Sequence, residues 1–221
     1  MRNDFMFHGK SKSVGKIFFP LLILFYTSCV DPKEPVTLKP STDKTAASLS
    51  IPRSELNLAK DSVAFLIAVR SLMAADTNAA FITVDSSGRP RVRTVYAIVD
   101  EKLPNTISKD TRIWVMTRSS TRKVSQLQKD GRVTLYYNDD ATVRYASIMG
   151  VTKVFTDPNN GEAAQFLRNK IDTEMIKYFW PDFPQGFALI KIKPLWIEYL
   201  SKKDAHGDPK TWRPQAVVFS E

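Results

Sequence analysis

The stretch TRIWVMTRSSTRKVSQLQKDGRVTLYY, residues Thr111–Tyr137, decides how this chain is organised. Thr111 to Thr117 is apolar and β-prone, Ser120 to Asp130 has helical spacing with Gly131 placed as its stop, and Arg132 to Asn138 returns to a strand pattern. The helix therefore opens on Arg122 and Lys123. The free N–H groups and the macrodipole already make a helix N-terminus positive, so a basic pair there calls for an anion. With Ser119, Ser120 and Thr121 beside it, the segment reads as a phosphate cradle of hydroxyls, backbone N–H groups and two side-chain charges. The competing reading is a surface helix whose Ser and Thr are N-caps and whose cations face solvent.

Outward from this core, Glu55 to Ala75 places Phe65, Leu66, Val69, Leu72 and Met73 on one side of an amphipathic helix. Ala80 to Val84 and Arg91 to Val99 flank the turn group Asp85-Ser86-Ser87-Gly88 and form a hairpin. A second hairpin turns at Asn138-Asp139-Asp140 and returns along Val143 to Phe155, with Gly150 marking a bulge. Asn160 to Tyr178 suits one helix or two. An aromatic, proline-rich loop follows at Phe179 to Pro184, then a strand from Phe187 to Leu200 interrupted by Pro194, and a short edge strand at Ala216 to Phe219. Strands dominate and neighbours in sequence pair as hairpins. That pattern predicts a mainly β protein, an antiparallel barrel with peripheral helices, over a doubly wound α/β sheet.

Arg89, Arg91 and Arg93 alternate, so a regular strand points all three to one face. An edge strand guarded by cations explains Arg89 and Arg91 as well as a ligand does. Arg93, between Val92 and Thr94, sits deeper and is the better ligand candidate.

The net charge of +9 belongs partly to the first 29 residues, where Arg2, Lys10, Lys12 and Lys16 face only Asp4. The remainder holds 28 basic and 22 acidic residues, about +6, a weak case for polyanion binding, and no nucleic-acid partner is expected. The basic start and the apolar run Ile17 to Tyr26 suit a signal peptide and are short for a membrane span. Tyr26-Thr27-Ser28-Cys29 looks like a bacterial lipoprotein signal, although Tyr26 stands where Leu is usual. An uncleaved anchor, or an ordinary signal peptide with an incidental thiol, competes with it. Residues 1–29 are thus assigned to export, 30–52, rich in Pro, Thr, Ser and charge, to a disordered tether, and 53–221 to the folded domain. With acylation at Cys29 the protein would be an exported, membrane-anchored lipoprotein. A single cysteine excludes an intramolecular disulfide, and one histidine after residue 29, His206, argues against a catalytic triad or multi-histidine metal site.

The segments GRPRVRTVYAIV, IWVMTRSSTRKVSQLQKDGRVTLYY and YASIMGVTKVF, in this order, resemble the FMN-binding split-barrel family of pyridoxamine 5′-phosphate oxidases, and more closely its general stress protein 26 branch. The motif is T-x-x-x-T-R-K, Thr117 to Lys123, followed by an R-V-T-L-Y-Y strand. The resemblance implies a six-stranded antiparallel split β-barrel and a homodimer with FMN, less plausibly FAD, at the subunit interface. It implies that Thr121, Arg122 and Lys123 hold the flavin phosphate together with Arg93, and that Met116 and Thr117 lie near the ring. Tyr145, Ser147, Trp180 and Trp196 are candidates for contributions across the interface, although an aromatic in such a place is more often core than ligand. An Arg and a His near the C-terminus hold the substrate in true pyridoxamine phosphate oxidases. Here the tail reads TWRPQAVVF, so vitamin B6 oxidation is not expected and an oxidoreductase role has no assigned substrate or proton donor. A non-enzymatic lipoprotein binding flavin or haem, or a deazaflavin in the same groove, is the alternative.

Replacing Cys29 by Ala is expected to leave the protein unprocessed or to release it from the membrane fraction. Normal processing and membrane retention of that variant, followed by immunoblotting of fractionated cells, would contradict the acyl anchor.

Overall fold

The computed structural model describes residues 53–99, 107–108, 110–172, 176–177, 180–203 and 209–219. The chain divides into two units, Met1–Pro40 and Ser41–Glu221, and every described residue belongs to the second. The expected export segment, Cys29, the tether and His206 lie outside the described residues.

Among the described residues there are nine strands and three α-helices: β1 Asn57–Leu58, α1 Ser62–Ala75, β2 Asn78–Val84, β3 Pro90–Tyr96, β4 Ile98–Val99, β5 Ile113–Arg118, α2 Arg122–Lys129, β6 Arg132–Asp139, β7 Arg144–Phe155, α3 Gly161–Lys170, β8 Phe187–Ser201 and β9 Gln215–Val218. The expected mainly β architecture with peripheral helices is present. The strands form one sheet in the order β1-β9-β8-β7-β6-β2-β3, with β5 also paired to β8 and β4 to β5. There are nine strands where six were expected, the β1–β9 pair is parallel, and among the described residues no ladder joins β3 to β5 to close the barrel.

Several local expectations shift. The first helix starts at Ser62, seven residues later than its apolar spacing implied. Asp61 caps it, its carboxylate accepting from the Val63 and Ala64 N–H groups, while Asn57 and Leu58 are drawn into pairing with β9. β9 consequently lies between β8 and β1 and is not the edge. The second strand of the first hairpin breaks at Ala97, whose N–H donates to the Thr77 carbonyl, and Ile98–Val99 leaves to pair with β5. Gly131 is not a left-handed helix stop: Asp130 turns extended to end α2, and Gly131 accepts from the Thr152 N–H through its carbonyl.

The expected interruption at Pro194 is instead a change of partner within one continuous strand. One edge of β8 pairs with β7 from Leu189 to Ser201. The other edge pairs with β5 over Phe187–Ile192 and with β9 over Trp196–Tyr199. Proline lacks an N–H for a ladder, so it is tolerated where the second neighbour changes. On the β7 side, Met149 faces Trp196 and Gly150 faces Pro194, which leaves Leu195 as an extra residue and makes this the expected bulge.

Two apolar clusters fill the fold. The larger lies between the sheet and α1 and includes Phe81, Leu135, Ile148, Ile190, Ile192, Phe65 and Val69. The smaller joins Trp114, Phe155, Phe187 and Leu189 to α3 and Trp180. Ile113 and Val115 serve the first cluster and Trp114 the second, so β5 is buried on both faces, which explains its unbroken apolar run.

A Cβ on Gly150 would meet the Lys193 carbonyl oxygen at 2.5 Å, a clash with backbone that no rotamer relieves. Gly150→Ala is therefore expected to destabilise the fold by ~2 kcal/mol or more. Urea denaturation giving wild-type stability would show that the β7–β8 approach is looser than described.

Candidate functional site

The site is assembled where β2, β3, β5 and α2 converge. Helix α2 turns Val124 and Leu127 into the interior. Lys123 and Gln126, three residues apart, share the neighbouring side of the helix, where both are half-buried. Arg93 stands opposite Phe81 on the core-facing side of the β2–β3 ladder. Its Nη1 donates to Thr83 Oγ1 at 2.7 Å and its Nη2 to Gln126 Oε1 at 3.0 Å. Thr83 Oγ1 in turn donates to Gln126 Oε1 at 2.6 Å. From β5, Thr117 accepts a 2.8 Å hydrogen bond from Lys123 Nζ.

The three arginines of β3 separate by partner. Arg91 pairs with Asp85 at 2.8 Å, and Arg89 approaches the same carboxylate at 3.5 Å. Both belong to the hairpin turn, as an edge strand requires. Arg93 makes no ion pair among the described residues, and its partners are neutral. Arg122 is exposed and its guanidinium has no hydrogen bond or ion pair among them. The expected cradle cations Arg93, Arg122 and Lys123 are thus brought together without a carboxylate. Their mutual effect is visible in protonation: Lys123 is pulled down to about 8, first by burial and then by the charge of Arg93. Arg93 is lowered as well, by burial and then by Arg122 and Arg91.

The start of α2 carries no side-chain cap and no acidic residue in its first turn. By contrast, Asp61 caps α1 and Asn160 caps α3. Thr121 occupies the cap position, but its hydroxyl donates backwards to the Arg118 carbonyl at 2.8 Å. The hydroxyl therefore braces the turn and leaves the helix start without a side-chain cap, beside the exposed Arg122 and the half-buried Lys123. Arg118 is turned away from this group. It pairs with Asp182 at 3.0 Å and lies 4.5 Å above the Trp180 ring, while the Ser119 N–H donates to the Gly186 carbonyl. The aromatic loop thereby clamps the turn that leads into α2.

The other sequence candidates are not gathered here within one chain. Met116 packs against the smaller cluster, on the side of β5 opposite Thr117. Trp180 is buried in that cluster. Tyr145 and Ser147 share the outer face of the sheet with Tyr136, opposite the core face that bears Arg93. The Tyr136 and Tyr145 rings lie 5.7 Å apart, and burial, followed by Glu198 and Tyr136, raises the Tyr145 phenol. Trp196 lies on the same outer face, in a shallow depression with Ile82, Val84, Met149 and Leu195.

Sequence reading missed Thr83 and Gln126. Thr83 had one visible signal, a hydroxyl at an inward position of the run Asn78–Val84, where Ala79 and Phe81 are apolar. Gln126 had only its spacing from Lys123.

Residues 66–201 match the family model described as pyridoxamine 5′-phosphate oxidase. No curated protein matches the chain. Among solved structures, a protein from Clostridium acetobutylicum related to general stress protein 26 of Bacillus subtilis, of the pyridoxinephosphate oxidase family, is 19% identical. It matches over 70% of this chain and 94% of its own, with a TM-score of 0.53. A pyridoxamine 5′-phosphate oxidase-related, FMN-binding protein from Nostoc punctiforme is 14% identical over 69% of this chain and 92% of its own, with a TM-score of 0.47. A heme-binding protein from Mycobacterium smegmatis is 13% identical over 68% of this chain and 56% of its own, with a TM-score of 0.49. The family match spans more than half of the sequence and contains the first hairpin, the β5–α2 turn and β6 to β8, so the chain belongs to the pyridoxamine 5′-phosphate oxidase family.

Proposed function

We propose that this is a flavin-binding protein that holds the phosphate of FMN between Arg93, Lys123, Arg122 and the first turn of α2. The carrying observation is the gathering of those three cations, without an acidic partner among the described residues, at an uncapped helix start. Family membership supports a flavin as the ligand. A bound flavin supplies hydride or electron transfer, and the chain supplies phosphate anchoring, ring orientation and access. Thr117, which accepts from Lys123 near the end of β5, would lie near a bound flavin.

The reading extends to a homodimer tethered to a bacterial membrane through Cys29. Support for the dimer comes from the outer face of the sheet. There the edge strand β3 exposes Val92 (65%) and Tyr96 (45%), on the same face as Tyr145, Ser147 and the apolar depression around Trp196. A second copy on that face would bring Tyr145 and Ser147 to the interface between subunits. The exported location rests on the apolar run and Cys29.

The purified protein is expected to show flavin absorption or to take up FMN in a fluorescence-quenching titration. A colourless protein that takes up no FMN would overturn the reading, and a Soret band would favour the haem alternative. Replacing Arg122 and Lys123 together by Ala should weaken FMN binding by ~3 to 6 kcal/mol, because each of the two charge-assisted contacts contributes ~1.5 to 3. The pH dependence has a definite sign. Below about 8 Lys123 is protonated in the free protein, and a phosphate dianion favours that form. FMN affinity should therefore be flat from about pH 7 to 8 and fall by up to ~10-fold per pH unit above that. Lys123→Met should abolish that slope.

A further inference from the structure

Arg91 and Arg93 are two residues apart on one strand and are held in opposite ways. Arg91 is held by the carboxylate of Asp85, which offsets its charge. Arg93 is held by a hydroxyl and an amide. Because a guanidinium can only donate, the single Thr83 hydroxyl proton must go to Gln126 Oε1, as the 2.6 Å contact shows. Gln126 Oε1 then accepts from both Thr83 and Arg93, and the three side chains close a ring.

Thr83 is fully buried, with 0% exposure, on a face that is otherwise apolar along β2. A hydroxyl there is unfavourable unless bonded, and its two recorded partners are Arg93 and Gln126. A glutamate at position 126 would reach Arg93 equally well and bind it more strongly. It would also neutralise the guanidinium. The neutral amide orients Arg93 and leaves its charge, with its other N–H donors, for something that arrives from outside the chain.

We propose that Thr83 and Gln126 are positioning residues that set the ligand preference of the site: they fix Arg93 without neutralising it, so that a phosphorylated flavin is taken in preference to an unphosphorylated one. This rests on the flavin reading above. The test titrates FMN and riboflavin, which differ by the phosphate, against the full chain and its Gln126→Glu, Thr83→Val and Thr83→Ser variants. Wild type is expected to bind FMN the more tightly. Gln126→Glu should lose ~10- to 100-fold in FMN affinity, with riboflavin affinity within about twofold of wild type and an unfolding midpoint no lower. Thr83→Val should reduce the FMN-to-riboflavin ratio and Thr83→Ser, which keeps the hydroxyl, should restore it. If Gln126→Glu leaves that ratio unchanged, or weakens both ligands alike, the positioning role is overturned while the flavin reading stands. Wild type that binds both equally, or neither, overturns the phosphate reading and this inference with it. Should Thr83→Val fail to fold, Gln126→Glu alone decides.

Discussion

Strand β8 has a neighbour on both edges and exchanges one of them at Pro194: β5 beside Phe187–Ile192, then β9 beside Trp196–Tyr199, with β7 along the opposite edge. The rest of the molecule depends on that exchange. It brings β5 in beside the sheet, with its C-terminal end, Thr117 and Arg118, leading into α2. The run β7-β6-β2-β3 continues from the other edge and returns Arg93 to the same helix. Gly150 permits the approach, since any side chain there would meet the Lys193 carbonyl. The cradle is thus a product of the sheet's connectivity as much as of the residues that line it.

Burying Lys123 beside Arg93, with no carboxylate paired to either among the described residues, opposes folding: the ammonium is pulled down to about 8, first by burial and then by the charge of Arg93. Burial of Val124 and Leu127 under α2, the Lys123–Thr117 hydrogen bond and the Thr83–Gln126–Arg93 ring offset this. Elsewhere the chain handles its cations differently: Arg91, Arg118, Arg132 and Arg144 each meet an aspartate, and Lys153 and Lys191 share Glu162. Local conflict that the surrounding fold overrides is characteristic of functional sites.

Much of the fold was legible because it rests on short-range pattern. The two hairpins, the helix opening at Arg122 and the strand that precedes it follow from alternation, turn residues and helical spacing. The resemblance carried by Thr117, Thr121, Arg122 and Lys123 led to the family that the match over residues 66–201 shows. Other features depended on partners distant in sequence. Asn57 and Leu58 were read as helix, but pairing with Gln215 and Ala216 and the cap at Asp61 held them extended. Pro194 was read as a break, but it sits where β8 changes neighbour and no N–H is required.

By itself the sequence determined that a basic pair opens a helix after an apolar strand, and that a further cation, Arg93, lies on another strand two residues beyond Arg91. Those facts follow from spacing and backbone electrostatics, which act within a few residues. Only the tertiary structure decided which cations lack a carboxylate: Asp85 reaches back to Arg91, whereas Arg93 meets Thr83 from β2 and Gln126 from α2. It also decided that Tyr145 and Ser147 stand on the opposite face of the sheet from Arg93, because register assigns each residue to a face. Charge in a strand is written locally. Whether that charge is neutralised depends on what folding brings beside it.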